Sequence, residues 1–145
     1  MKILVINGPN INMLGIREPE IYGKKDYNAL IDFIKASAKK ENIEVECFQS
    51  NHEGDIVDKI QLSYNNFDGI IINPAAYTHT SVAILDALSA VALPAVEVHL
   101  SDISLREKFR QTSFCQKACL TTFKGLGFEG YRQALLYLKK YLKEK

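Results

Sequence analysis

Five apolar runs of strand length recur along this chain with helical patterns between them, and no other feature limits the fold so narrowly. The runs are KILVIN (2–7), IEVECF (43–48), GIIIN (69–73), AVEVHL (95–100) and ACLTTF (118–123). Between the first two, Tyr27, Leu30, Ile31, Ile34 and Ala38 form a stripe at helical spacing, with Asp26 placed to cap it. Ile56, Val57, Ile60 and Tyr64 form a second stripe, and Tyr131, Leu135, Leu138 and Leu142 a last one. The segment 78–92 is apolar nearly all round, so as a helix it needs cover on more than one side. Strand and helix in strict alternation require a parallel sheet with helices on both faces.

The expected fold is therefore α/β, a flavodoxin-like three-layer sandwich around a five-stranded parallel sheet. It forms one domain over residues 1–145, with no internal repeat, linker or low-complexity tract. Eighteen basic and seventeen acidic residues give a net charge of +1, which argues against a nucleic-acid partner. The basic tail LKKYLKEK reads as the solvated face of a last helix. MKILVIN runs straight into a turn and has no cleavage site of a signal peptide. The least charged stretch, 69–96, is interrupted by Asn73, Pro74, Asp86 and Pro94, so no membrane span is expected. Cys47, Cys115 and Cys119 are odd in number and lack a CxxC pair, as reduced thiols of a cytoplasmic protein would be.

In such folds ligands bind beyond the carboxyl ends of the strands. Polar residues gather there: Asn10, Arg17 and Tyr22 after the first strand, Asn73 and His79 after the third, Glu97, His99 and Ser101 around the end of the fourth. Glu97 and His99 are two apart on a strand and share a face, so the carboxylate is placed to orient the imidazole. Arg106 and Arg110, four apart on a short helical stretch, share another, where solvation or ligand binding are both open. Asp86 is the only charge between Gly69 and Val96, and it meets either solvent or a partner. Arg17 and Tyr22 share a loop with no apolar period. A phenol is about 99.9% protonated at pH 7, and lowering its pKa by ~2–3 units takes ~3–4 kcal/mol. A guanidinium in a partly desolvated site supplies that. Packing is the other reading of Tyr22.

Other motifs yield less. GLGFEG (125–130) matches G-x-G-x-x-G, but no later strand remains to carry a ribose-binding acid, so it reads as a tight turn before the last helix. His52, His79 and His99 lack ligand spacing for zinc, and His52 reads as structural or surface.

NGPNINMLGIREPEIYG, QSNHEGDIVDKI, INPAAYTHTSVA and EVHLSD, with REKFR and GYRQAL behind them, closely resemble the type II 3-dehydroquinate dehydratases. The similarity runs from Lys2 to Tyr141 in order. It implies a shikimate-pathway enzyme that converts 3-dehydroquinate to 3-dehydroshikimate with no metal or organic cofactor. By position, Tyr22 corresponds to the base and Arg17 to the cation that keeps it ionised. Asn10 corresponds to the holder of a water at the enolate, and His99 to the acid, oriented by Glu97. Asn73, Leu100 and Ser101 correspond to the carboxylate site. His79, Arg110 and a neighbouring subunit's Asp86 correspond to ligands of the ring hydroxyls, with Arg106 on the same basic edge. The resemblance also implies a homododecamer, a tetramer of trimers.

This chain departs from the family at Leu85, where arginine is frequent, at Asp102, where asparagine is usual, and at Ser104–Leu105, in place of His-Ala. The charge of Asp102 is expected to oppose an anionic substrate. Two other classes stay open on the residues: a non-catalytic anion-binding or assembly module, and a flavin or nucleotide binder on the same fold.

Overall fold

The computed structural model describes residues 1–16 and 25–145. Strands β1 (Lys2–Asn7), β2 (Glu44–Gln49), β3 (Gly69–Asn73), β4 (Ala95–His99) and β5 (Thr121–Lys124) form a wholly parallel sheet in the order β2-β1-β3-β4-β5. Among the described residues four α-helices alternate with them: α1 (Tyr27–Lys40), α2 (Glu53–Ser63), α3 (Val82–Val91) and α4 (Glu129–Lys143). β3 and β4 are buried along their whole length, as central parallel strands covered on both faces must be. No helix among the described residues is long and apolar enough to cross a membrane.

The pleat splits the core in two. Ile3, Val5, Ile71, Val96 and Val98 face α1 and α4 and pack on Leu30, Ile34, Leu135 and Leu138. Leu4, Ile6, Ile70, Ile72 and Ala95 face α2 and α3 and pack on Ile56, Ile60, Ile84 and Leu88. Each large side chain so buried contributes about 1.5–3 kcal/mol. The Asp26 cap forms as expected, its Oδ1 accepting from Ala29 N at 2.8 Å.

Four local expectations are corrected. Segment 78–92 is not one helix. Ala75–His79 is a 3-10 turn, and α3 starts only after Ser81, whose Oγ accepts from Ile84 N at 3.0 Å. A serine that caps so well starts a new helix in preference to continuing the old one. α3 buries Ile84, Ala87, Leu88 and Val91 and leaves Val82, Ala83, Asp86, Ser89 and Ala90 exposed. Arg106 and Arg110 do not share a helix face, because Arg106 is extended between two 3-10 turns, Ile103–Leu105 and Lys108–Arg110. Asp102 closes the first turn onto Ser104, and the extended Glu107 separates it from the second. Tyr64 lies beyond the end of α2 in extended backbone and is exposed. The fifth strand starts late because Cys115–Ala118 is itself a 3-10 turn, and pairing with β4 begins when Leu120 N donates to Ala95 O at 2.8 Å.

Candidate active site

In this strand order the winding reverses between β1 and β3, and the crevice beyond their carboxyl ends is the place for a ligand. Asn7 and Asn73 are register partners there. The two exits approach backbone to backbone: Gly8 N donates to Asn73 O at 2.8 Å, and a Cβ on Gly8 would clash with the Pro74 carbonyl oxygen. Both asparagine side chains turn toward α4. The Tyr131 hydroxyl donates to Asn7 Oδ1 at 2.6 Å and accepts from Asn73 Nδ2 at 2.9 Å. Asn73 Oδ1 accepts from Ala75 N at 3.1 Å, at a residue with φ +53°. Burial pushes the Tyr131 phenol well up, so it stays a neutral hydroxyl.

The opposite face of the same edge carries charge. Glu97 and His99 do share a face, as the alternation predicts, with His99 Nε2 3.5 Å from Glu97 Oε1. At that distance the contact is electrostatic more than a hydrogen bond, and Nε2 has no other partner among the described residues. Glu97 is fully buried and well supplied: its Oε1 accepts from Thr78 Oγ1 at 2.7 Å and Ser113 Oγ at 2.6 Å, its Oε2 from Thr122 Oγ1 at 3.2 Å. Burial alone would raise the Glu97 carboxyl. The adjacent His99 and the Ser113 and Thr78 hydroxyls outweigh it and hold the group below the usual carboxylate range. With Nε2 turned to the carboxylate, Nδ1 is the nitrogen of His99 left to face a ligand.

The rim is more open. Asn10 sits in the left-handed region at φ +70°, its N–H held by Asn51 Oδ1 at 3.0 Å, and Gln49 Nε2 braces that oxygen at 3.1 Å. His79 Nδ1 lies 2.7 Å from the Thr112 carbonyl. A carbonyl only accepts, so Nδ1 carries the proton, and Nε2 makes no hydrogen bond among the described residues. Arg110 Nε lies 2.9 Å from Glu107 Oε2, with the guanidinium 5.1 Å from the Phe109 ring centroid. Ser101, Arg106 and Asp86 are exposed, and Asp86 makes no side-chain hydrogen bond or ion pair among the described residues. The glycine-rich turn pins the end of β4: Gly125 N donates to His99 O at 3.3 Å and Gly127 N to Leu100 O at 3.1 Å, both glycines at positive φ. Arg17 and Tyr22, expected as cation and base, lie outside the described residues.

Asn7, Gln49, Asn51, Ser113, Thr122 and Tyr131 were not anticipated. Two of them had a signal. Asn7 is a polar residue ending a buried strand, and Thr122 is the register partner of Glu97 on β5. Tyr131 was hidden in an apolar helical stripe.

Fold and site define a class: a doubly wound α/β protein with an acid–base pair on one face of its carboxyl edge and an amide cluster on the other. Comparison with known proteins narrows it, since the family described as Dehydroquinase class II matches residues 1–139, and the chain belongs to that family. The 3-dehydroquinate dehydratase of Clostridium perfringens (strain SM101 / Type A) is 56% identical over 146 residues, covering 100% of both chains. Among solved structures, the type II dehydroquinase from Butyrivibrio crossotus DSM 2876 superposes with a TM-score of 0.91 at 53% identity, over 96% of this chain and 97% of that one. The type II dehydroquinase from Propionibacterium acnes gives a TM-score of 0.89 at 37% identity, over 96% of each.

Proposed function

We propose that this class II dehydroquinase is a hydro-lyase of the shikimate pathway that removes water from 3-dehydroquinate through an enolate, with Tyr22 as base and His99 as acid. Tyr22, its phenolate held by Arg17, takes a proton from the carbon beside the ketone. Charge moves to the ketone oxygen, where a water on Asn10 stabilises it. His99 then gives a proton to the departing hydroxyl, so one water leaves and 3-dehydroshikimate remains. The observation that carries this reading is the buried Glu97–His99 pair at the carboxyl edge. A carboxylate held below the usual range by its hydroxyl and imidazole neighbours is a fixed anchor that orients the ring of the proposed acid.

Asn73, the backbone of Leu100 and Ser101, and the Ser101 hydroxyl take the substrate carboxylate. His79, through its Nε2, and Arg110 take ring hydroxyls, and Arg106 completes the basic edge. The exposed face of α3 carries Asp86 with Val82, Ala83 and Ala90 around it. It suits a subunit contact that presents Asp86 to a neighbour's site, within a homododecamer built as a tetramer of trimers. The protein acts in the cytoplasm, where Cys47 and Cys115, their thiols pushed up by burial to about 11 and about 12, stay reduced and inert.

One experiment tests base and assembly together. Absorbance of the conjugated enone is followed after 3-dehydroquinate is added to Tyr22→Phe, to Asp86→Ala, and to a mixture refolded together. Tyr22→Phe should lose turnover by several orders of magnitude yet still bind, since the phenol acts in the transition state. The mixture should recover activity, as some sites receive a native Tyr22 and a native Asp86. Near-normal turnover in Tyr22→Phe sinks the mechanism, and a mixture no better than its parents sinks the shared site.

A further inference from the structure

We propose that Tyr131 is a positioning residue of the substrate-carboxylate site, its hydroxyl fixing which end of the Asn73 amide faces the ligand. The proposal rests on the reading of Asn73 as a ligand of that carboxylate and adds a residue that touches no substrate. A primary amide has two ends of similar shape and opposite polarity. Turned one way it offers an N–H to an anion; turned the other way it offers an oxygen that repels it. Something at this site must decide between them.

The hydrogen-bond count decides. A phenol has one proton to give. Asn73 Oδ1 already accepts from Ala75 N at 3.1 Å, so Asn73 can meet Tyr131 only as a donor, at 2.9 Å from Nδ2. If Asn7 also met the phenol with its nitrogen, the buried Tyr131 proton would have no acceptor. Asn7 therefore presents Oδ1, at 2.6 Å, and its Nδ2 is left unpaired among the described residues. That nitrogen is turned instead to the Tyr27 phenol, short of full hydrogen-bond geometry. Proton by proton the chain of bonds runs from Asn73 to Tyr131 to Asn7. One N–H of Asn73 is spent on the phenol, and the other is its remaining donor for a carboxylate.

The placement of the three groups makes this rigid. Asn73 is 2% exposed and Asn7 and Tyr131 are fully buried, so water cannot substitute for the phenol. Asn7 and Asn73 are locked in register by the β1–β3 pairing, and Tyr131 is set by the first turn of α4. Phenylalanine at 131 would keep the ring and its packing but remove both the acceptor for Asn73 and the donor for Asn7. The Asn73 amide would then be held only by Ala75, with a buried N–H seeking a new partner.

The test is steady-state kinetics with 3-dehydroquinate on the full chain, for Tyr131→Phe, Asn73→Ala and the double variant. Tyr131→Phe should raise KM about tenfold with kcat changed by no more than about twofold. Asn73→Ala should raise KM at least as much, and the double variant should match Asn73→Ala alone, because Tyr131 acts only through Asn73. A residue serving stability alone would not give that split or that non-additivity. An unchanged KM in Tyr131→Phe, or effects that multiply in the double variant, overturns the proposal while the reading of Asn73 stands. An unchanged KM in Asn73→Ala overturns that reading and the proposal with it. Should Tyr131→Phe not fold, Asn7→Leu asks the same question. It keeps the phenol but frees its proton to compete for Asn73, so KM should rise; an unchanged KM again overturns the proposal.

Discussion

Two buried polar clusters lie back to back across the carboxyl edge of one sheet, and they are built on opposite plans. On the α2–α3 face a single carboxylate, Glu97, gathers three hydroxyls and an imidazole. On the α1–α4 face three neutral groups, Asn7, Tyr131 and Asn73, are joined by two hydrogen bonds. A buried anion costs several kcal/mol unless its lone pairs are satisfied, so the first cluster needs many donors. A neutral amide costs less but has no preferred sense, so the second needs few bonds of fixed direction. The first plan suits a group that must hold charge beside a proton donor. The second suits a group that must present one N–H to an anion. Damage to the charged cluster should therefore appear in kcat, and damage to the neutral cluster in KM.

The severest challenge to that division is His99→Gln. Glutamine still donates a hydrogen bond but gives up no proton at neutral pH. Dehydration should fall by about 10²–10⁴-fold, the usual contribution of a general acid. Exchange of the substrate's α-proton with solvent, followed by NMR in deuterated buffer, should survive better, because the base is untouched. Equal loss of both would make His99 a binding residue and erase the contrast between the two faces.

Glu97→Gln should cost less, about 10–100-fold in kcat, since the acid remains but loses its counter-charge. It also has a signature in stability. The folded carboxyl of Glu97 lies below its usual range, so the unfolded chain binds this proton more readily. The stabilisation is complete above the unfolded value of about 4.3 and is lost as pH falls through the lower folded one. Urea midpoints of the native protein should thus fall more steeply with acid below about pH 4 than those of Glu97→Gln. The excess slope is at most about 1.4 kcal/mol per pH unit for one proton. Parallel acid limbs would mean that Glu97 is not held ionised.

These two clusters also differ in how far they could be read from the sequence. Glu97 and His99 were visible because strand alternation is a strict period of two, and charge stands out in an apolar run. The sheet and the order of elements were legible for the same reason. Two partners of Glu97 were not, since Thr78 and Ser113 reach it from a 3-10 turn and a loop that no periodicity describes. The helix expected over 78–92 hid the first of these, and the Ser81 cap that breaks it is a local choice that apolar counting overlooks. Tyr131 fitted the α4 stripe so well that nothing marked its hydroxyl. Its role depends on a contact with Asn7 across 124 positions of chain, which only the folded sheet brings about. Family resemblance supplied the roles of Asp86, Arg106 and Arg110, which spacing alone left open between solvent and ligand.

The smallest expected effect tests how well the neutral face is insulated from charge. Asp102 follows Ser101 at the end of β4, and its Oδ1 accepts from both Ser104 N at 3.0 Å and Ser104 Oγ at 2.5 Å. The departures from the family at 102 and 104 are thus one unit, an aspartate and the serine that binds it. The Ser104 hydroxyl and N–H hold the carboxyl below its usual range, with Lys124 nearby, so the charge is present at neutral pH but already partly answered. Asn at 102 keeps an oxygen for Ser104 and removes the charge alone. Because the residue is half-exposed, solvent and salt screen much of what remains. Asp102→Asn should lower KM by only about two- to threefold at low salt, with kcat unchanged, and the difference should vanish toward 1 M salt, where the screening length is about 3 Å. A rise in KM would mean that the carboxylate helps to hold substrate. A fall that persists at high salt would point to altered shape and not charge, and either result would move the boundary between the two faces to the end of β4.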